Sequence, residues 1–402
     1  MKDVSFRITA GLLTAVALLV LGCGQGAQTG APVSSDQDAL KGKGKSGPTL
    51  TPQNSGTTNG LISISALNAR VAWASGRNGT FTRTTDGGKT WHAGVVPGAE
   101  TFQFRDVQAV SDKVAYLLSI PITAPSRIYK TIDGGQTWTQ QFEAASLDFF
   151  YDCFAFWDRK SAVVLGDSIA GRLPVLRTLD GTTWQDIGDN LPPPLTGEAG
   201  FASGGTCAAT QGHRRAWLTT GAPPQTTGGT GTARVFFTTD RGQTWGVTTA
   251  PIFAGVDGAG GGFSIAFRSA RHGILAGGDL AAAGVVDNFA RSSDGGRTWE
   301  LGTSAPIPGA IFTAAYAGHG RGHGDDDGDD DDEGEDEDGH GHGDGPSIRV
   351  VATAPAATAW SPDEGRSWKV LEGVTGFWGV NFGSQQTGWL VGVNGTITRI
   401  DF

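Results

Sequence analysis

The sequence predicts an all-β protein, a seven-bladed β-propeller made of four-stranded antiparallel blades. Three observations predict it. A phrase close to Thr-x-Asp-Gly-Gly-x-Thr-Trp occurs six times, seven apolar strand-like segments accompany it, and successive copies lie 47 to 69 residues apart. A chain of 402 residues with 64 glycines and a repeat period near fifty is typical of one repeat architecture rather than several separate domains.

The repeated phrase has the chemistry of a hairpin turn. An Asp carboxylate accepts hydrogen bonds from backbone N–H groups a few residues on, the glycines allow positive φ, and Thr-Trp begins another strand. The six copies supply these pairs: Asp86 and Trp91, Asp133 and Trp138, Asp180 and Trp184, Asp240 and Trp245, Asp294 and Trp299, Asp363 and Trp368. We predict a structural role for all of them, because a residue repeated around a ring rarely forms a unique active site.

The apolar segments predict the second strand of each blade. They span residues 71–76, 114–118, 162–166, 216–219, 273–277, 349–352 and 388–392. The sequence thus has seven second strands but only six copies of the phrase. The seventh unit ends with a third strand at 395–400, where its copy would begin. A closed ring must cover that exposed edge. We therefore predict that an N-terminal strand within about residues 48–58 completes the C-terminal blade.

The repeated phrase closely resembles the Asp-box, or BNR repeat, of sialidases, sortilin-type receptors and propellers related to photosystem II stability/assembly factors. Residues 72–76, 104–107, 151–158 and 388–395 resemble exported bacterial propellers of the last group. This resemblance implies a non-catalytic scaffold that binds or assembles a protein or another ligand, since the photosynthetic members hold protein partners. It specifies the fold more sharply than the function.

The N-terminus predicts an exported, lipid-anchored protein. Residues 1–22 read as a lipoprotein signal peptide, with an apolar run at 8–21 that is short for a membrane span. The run ends in Val-Leu-Gly-Cys, which resembles a bacterial lipobox and implies lipidation of Cys23. An ordinary signal peptide that contains a Cys is the alternative. Residues 23–47 read as a flexible tether and residues 48–402 as the propeller.

These features place the protein at the cell envelope, on the outer membrane if the cell is Gram-negative. The lipid is its only expected membrane contact. No basic nucleic-acid stripe appears, and we expect a monomer.

One acidic tract accounts for the charge of the chain. Residues 318–345 hold 13 of the 40 acidic residues, and without them the net charge changes from −10 to +2. Such a tract cannot form a core, so we predict a disordered insert in blade six. Its histidines, with the carboxylates, suit a loosely bound divalent cation: His319, His323, His340 and His342. A solvated loop or a metal-binding envelope protein are the two interpretations, and we predict no other cofactor.

Polar residues on or near the first strands predict a ligand site at one end of the central channel. They are Arg105, Asp106, Tyr151, Asp152, Glu198 and Arg268, with Asp167 and Asp279 at the ends of second strands. For each of them, a structural ion pair is the alternative. Cys153 and Cys207 open consecutive units, so they are either a disulfide or two buried thiols.

A sialidase-like glycosidase or glycan-binding propeller is the runner-up function. Sialidases use a Tyr nucleophile, and the resemblance would assign that role to Tyr151, beside Asp152 and Glu198. Arg105, Arg234 and Arg268 would then form the arginine triad. The Arg-Ile-Pro sequence of sialidases is absent from this chain.

Overall fold

The computed structural model describes residues 47–317 and 348–402, and within them 28 β-strands form seven four-stranded sheets. Each sheet is one blade. In six blades the strands pair antiparallel in chain order, and the seventh blade also takes in the first strand of the chain. Blade 1 contains β2 (Leu61–Ala66), β3 (Ala72–Gly76), β4 (Thr80–Thr84) and β5 (His92–Val95). Blade 2 contains β6 (Phe104–Ala109), β7 (Ala115–Ser119), β8 (Arg127–Thr131) and β9 (Thr139–Glu143). Blade 3 contains β10 (Tyr151–Phe156), β11 (Ala162–Gly166), β12 (Val175–Thr178) and β13 (Gln185–Asp186).

The remaining blades repeat the pattern with longer strands in the middle of the chain. Blade 4 contains β14 (Ala208–Gln211), β15 (Arg215–Ala222), β16 (Thr232–Thr238) and β17 (Gly246–Phe253). Blade 5 contains β18 (Gly260–Phe267), β19 (Gly273–Asp279), β20 (Phe289–Ser292) and β21 (Glu300–Leu301). Blade 6 contains β22 (Thr313–Ala317), β23 (Arg349–Ala354), β24 (Ala357–Ser361) and β25 (Lys369–Val370). Blade 7 contains β26 (Phe377–Phe382), β27 (Thr387–Gly392) and β28 (Ile397–Asp401), completed by β1 (Thr49–Gln53).

The predicted ring closure is confirmed. Strand β1 pairs antiparallel with β28, from Thr49 opposite Asp401 to Gln53 opposite Ile397. The N-terminal strand therefore covers the edge that the missing seventh Asp-box leaves open.

The core lies between neighbouring blades. Residues of the second strands are almost all buried, because each blade packs against a neighbour on both of its faces. Large side chains at matching positions of these strands, Trp73, Trp217 and Trp389, are at most 1% exposed. The Trp73 indole donates a hydrogen bond to the Ser111 carbonyl at 3.1 Å, and this contact links blade 1 to blade 2. One side chain thus supplies both apolar burial and a polar blade-to-blade link.

Two ends of the ring differ in their connections. The turns between first and second strands and between third and fourth strands, such as 67–71 and 85–91 in blade 1, form what we call the Asp-box face. The connections between second and third strands and between blades, such as 120–126 and 187–207, form the channel-mouth face. The acidic tract stands between β22 and β23 in the chain, outside the described residues.

Each Asp-box carboxylate is used within its own turn. Asp86 accepts hydrogen bonds from the Thr90 N–H at 3.0 Å, the Thr90 hydroxyl at 2.6 Å and the Thr84 hydroxyl at 2.9 Å. These bonds, those from Thr90 first, lower the pKa of Asp86 to about 2. Gly87 and Gly88 have φ of 80° and 83°, which is why glycine occupies both positions. The third copy of the phrase is one residue shorter, and its Asp binds the turn in the same way. Asp180 accepts hydrogen bonds from the N–H groups of Thr182 and Thr183, both at 2.7 Å.

Candidate functional site

Bulges in the first strands shape the channel mouth. In five blades the register of the first strand shifts by one residue near the mouth. A bulge re-aims the extra side chain, and bulges are common next to functional sites. The five extra residues form what we call the mouth ring: Ile62, Arg105, Asp152, Phe263 and Trp378.

Residues 199–206, which we call the plug segment, cover most of this ring. Phe201 stacks on Phe263 of blade 5 with ring centroids 3.8 Å apart. The Ser203 hydroxyl donates to the Phe312 carbonyl at 3.2 Å, next to blade 6. The plug segment leaves blade 3 yet contacts blades 5 and 6, so it crosses the channel mouth.

Two glycines let the plug segment pass this closely. A Cβ on Gly204 would lie 2.1 Å from the Thr313 hydroxyl, and one on Gly205 would lie 2.3 Å from an Asp106 carboxylate oxygen. Gly205 also has φ of 74°. A larger residue would collide with the walls of the channel, so the Gly-Gly pair is a steric requirement here.

A disulfide holds the end of the plug segment. Cys153 on β10 and Cys207 are bonded, with their Cα atoms 5.9 Å apart, and both are fully buried. The bond ties the exit of the plug segment to the first strand of blade 3.

Arg105 joins the mouth ring to the plug segment. Its Nη1 donates to the Ala202 carbonyl at 3.1 Å, and the guanidinium is almost completely buried. Burial and the nearby charge of Arg77 lower its pKa to about 10, while Asp152 opposes that shift.

Asp152 and Asp167 form a carboxyl pair beside Arg105. Their side chains are hydrogen-bonded to one another, and the Gly200 N–H donates to Asp167 Oδ1 at 2.9 Å. Burial raises the pKa of both carboxyls, that of Asp167 to about 7. Burial and the repulsion between two adjacent negative charges both favour a protonated form of this pair. The sequence places these residues fifteen apart and does not reveal their contact.

Asp106 and Tyr151 have structural surroundings. Asp106 accepts the Phe154 N–H at 2.8 Å and the Ser63 hydroxyl at 3.2 Å, which links blades 1 and 3 through blade 2. Tyr151 is buried and packs edge-on against Phe142, with ring centroids 5.6 Å apart. Burial raises the pKa of the Tyr151 phenol, the opposite of what a nucleophile needs at neutral pH.

Glu198 lies beneath the channel-mouth face in a buried ion pair. Arg234 Nη1 donates to its Oε2 at 2.6 Å and the Thr220 hydroxyl to its Oε1 at 2.5 Å. Asp279 is also buried and accepts the Ala281 N–H at 2.9 Å within its own loop. These carboxylates hold loops in place.

Arg268 belongs to the opposite face from the other candidates. It comes directly after β18, the first strand of blade 5. It therefore lies in the turn between β18 and β19, on the Asp-box face. There Arg268 Nε and the Tyr316 hydroxyl both donate to Glu364 Oε1, at 2.7 Å and 2.8 Å. The three arginines of the sialidase interpretation therefore lie in three separate environments.

Sequence reasoning missed the exposed part of the mouth. Trp378 is half-buried, whereas the other four members of the mouth ring are at most 3% exposed. The guanidinium carbons of Arg105 and Arg77 lie 5.4 Å and 5.9 Å from the Trp378 ring centroid, and Phe312 contacts it edge-on at 5.1 Å. One signal was available, because Trp378 holds the second position of its first strand, as Arg105 and Asp152 do.

Several predictions fall outside the described residues. They are the signal peptide, Cys23, most of the tether, and the acidic insert with His319, His323, His340 and His342. Within residues 47–317 and 348–402, no group of three or more His, Cys, Asp or Glu is placed to hold a metal ion. Over the same residues, no helix is long and apolar enough to cross a membrane.

Comparisons with known proteins show the fold. No family model matches the chain, and no curated protein matches it. A structure of YCF48 bound to D1 peptide matches 92% of this chain and 100% of its own, with a TM-score of 0.56 and 16% identity. YCF48 from Cyanidioschyzon merolae matches 88% and 98%, with a TM-score of 0.54 and 13% identity.

An enzyme shares the fold as well. A GH74 xyloglucanase from Xanthomonas campestris matches 87% of this chain and 53% of its own, with a TM-score of 0.54 and 13% identity. At identities of 13 to 16%, these structural matches show the fold alone and leave the activity undecided.

Proposed function

We propose that this protein is a non-catalytic, lipid-anchored envelope scaffold that binds a segment of a partner protein at its channel mouth. The observation that carries the proposal is the half-buried Trp378 of the mouth ring, which lies beside Arg77.

The side chains of Trp378 and Arg77 suit protein recognition. Trp and Arg dominate the residues that carry binding energy in protein interfaces. Within the described chain, the Arg77 guanidinium makes no hydrogen bond or ion pair, so its donors are available to a partner. Phe312 and Arg105 pack against Trp378 and hold its ring in place before binding, which lowers the entropic cost of association.

The YCF48 comparison supports the choice of ligand class. That propeller, which matches this chain over nearly its whole length, was solved with a D1 peptide bound. A protein segment is therefore the ligand class that we carry to this chain. Lipidation of Cys23, followed by the tether to residue 47, would keep the propeller at the envelope where such a partner resides.

Affinity capture from the native envelope tests the proposal. A tagged full chain should recover a partner that Arg77→Glu and Trp378→Ala variants lose. Arg172→Glu is the matched control, because Arg172 also lies on the channel-mouth face but is exposed and pairs with Asp186 at 2.7 Å. Recovery of the same proteins by the wild type and both mouth variants would contradict binding at this site.

Glycan hydrolysis is the competing function, because a glycosidase shares the fold. Against it, Tyr151 is buried and the carboxyl pair lies under the Gly200 backbone. We expect no turnover of sialosides or aryl glycosides by the full chain. Hydrolysis that disappears in a Tyr151→Phe variant would overturn the non-catalytic proposal.

A further inference from the structure

The Asp-box face carries an apolar pair that the other turns lack. Ile132 and Leu179, the residues before the Asp in boxes two and three, are 68% and 54% exposed. The matching position in the other four boxes is polar or proline: Thr85, Thr239, Ser293 and Pro362. The turn itself accepts polar residues there, so hydrogen bonding in the Asp-box does not explain the aliphatic side chains of blades 2 and 3.

Three lysines lie next to boxes two and three. The Gly134 N–H donates to the Lys113 carbonyl at 2.9 Å, so exposed Lys113 adjoins box two. Lys130 Nζ donates to the Gly181 carbonyl at 3.1 Å, within box three, and exposed Lys160 lies beside that same glycine. We call Ile132, Leu179, Lys113, Lys130 and Lys160 the basic-aliphatic patch.

Nearby acidic groups offset part of this positive charge. Asp133 and Asp180 accept hydrogen bonds within their own turns, which keep them ionised, and Asp158 pairs with Arg241 at 3.3 Å. Asp112 is the exposed carboxylate next to Lys113. The patch therefore presents ammonium groups around two aliphatic side chains.

The chain enters the propeller from the same face. Gly47 packs against Trp360, and β1 starts at Thr49 opposite Asp401, the Asp-box end of β28. Upstream of this entry lie the tether, Cys23 and the apolar run at 8–21. A lipid on Cys23 would thus reach the propeller from the Asp-box side.

We propose that the basic-aliphatic patch contacts an anionic phospholipid surface. Ile132 and Leu179 would enter the headgroup layer while the lysines contact lipid phosphates, the combination that anchors peripheral segments. This contact turns the channel mouth away from the bilayer and towards a protein partner. The inference draws on the proposed envelope location, but its test can fail separately.

Collisional quenching on vesicles tests the orientation. A fluorophore is attached to the full chain carrying Cys23→Ser, at Thr85→Cys on the Asp-box face or at Val256→Cys on the channel-mouth face. Val256 is 68% exposed and Thr85 is half-buried, so the quenching at each site is compared with that of the same site in phosphatidylcholine alone. Vesicles of phosphatidylcholine with phosphatidylglycerol carry a nitroxide on the headgroup. We expect quenching at position 85 and little at 256, with loss of quenching in phosphatidylcholine alone or at high salt.

Patch variants test the residues themselves. Ile132→Ser with Leu179→Thr uses residues of the kind other boxes contain at this position, so the fold should be retained, and circular dichroism checks it. We expect this variant to lose most of the quenching at 85. Lys113→Glu with Lys160→Glu should weaken the interaction by about fivefold or more for each charge removed.

Equal quenching at 85 and 256, or unchanged quenching at 85 in both patch variants, would overturn the inference. Neither outcome depends on partner capture or on lipidation of Cys23.

Discussion

The Asp-box face and the channel-mouth face of this propeller are built by opposite strategies. On the Asp-box face, one turn recurs six times, and each carboxylate binds its own backbone, as Asp86 and Asp133 do. On the channel-mouth face the mouth ring differs from blade to blade, and charged groups such as Arg105 and Asp152 are buried. Repetition can build a ring, whereas recognition requires a place where the symmetry is broken. This difference is the reason why we propose the channel mouth as the binding site.

Removal of the disulfide on the channel-mouth face should cause the largest loss in the free energy of unfolding. The bond joins residues 54 apart, and the loss of a loop constraint of that length costs about 4 kcal/mol in the chain-entropy model. We expect the Cys153→Ser, Cys207→Ser double variant to show that drop in urea unfolding. Reducing agent should lower the stability of the wild type but not of the double variant. A wild type that reductant leaves unchanged would show that packing alone holds the plug segment.

Loss of a buried ion pair on the channel-mouth face should cause the second largest drop in the free energy of unfolding. Arg234→Met leaves Glu198 without its cation at a site where the Glu198 side chain is 0% exposed, and such a loss costs about 3 kcal/mol or more. Arg172→Met removes an exposed pair on the same face and should cost about 1 kcal/mol at most. Urea unfolding of the two variants checks the difference. Similar values would mean that water reaches Glu198.

Loss of one Asp-box carboxylate should lower the free energy of unfolding less, because the other five turns stay intact. Asp294 accepts the N–H groups of Arg297 and Thr298 and the Thr298 hydroxyl. Asp294→Ala should lower the free energy of unfolding by about 1 to 2 kcal/mol, with Glu300→Ala, an exposed neighbour, as the control. A loss as large as that of Arg234→Met would show that one box controls the closure of the whole ring.

The two faces should also respond to pH in opposite directions, with the smallest changes in Tm. Asp86 and Asp133 have lowered pKa values of about 2, so the stability they contribute is present above about pH 4 and is lost as pH falls through 2. The pKa of Asp167 is raised to about 7, so its contribution is present below about pH 4 and is lost as pH rises through 7. Asp167→Asn should flatten the neutral limb of a Tm–pH profile, while Asp133→Asn should flatten the acid limb. A neutral limb that persists in Asp167→Asn would assign it to another group.

The repeat made the fold predictable from local chemistry. The Asp-Gly-Gly turns, the seven apolar second strands and the absence of a seventh box led to the ring and its closure, because each depends on neighbours in sequence or on one missing edge. The candidate site was only partly predictable. Arg105 and Asp152 were named from their polarity on a first strand, and both lie in the mouth ring. Arg268 was grouped with them, although it lies on the opposite face and pairs with Glu364.

What remained hidden depends on contacts between distant parts of the chain. The sequence by itself determined the seven blades and the structure of each box, since turn geometry and strand burial are encoded within a few residues. Only the tertiary structure decided that residues 199–206 cross the channel, that Asp152 meets Asp167, and that Trp378 stays half-buried beside Arg77. These contacts join different blades through bulges and a long connection, and no local periodicity records which side chains such a path brings together.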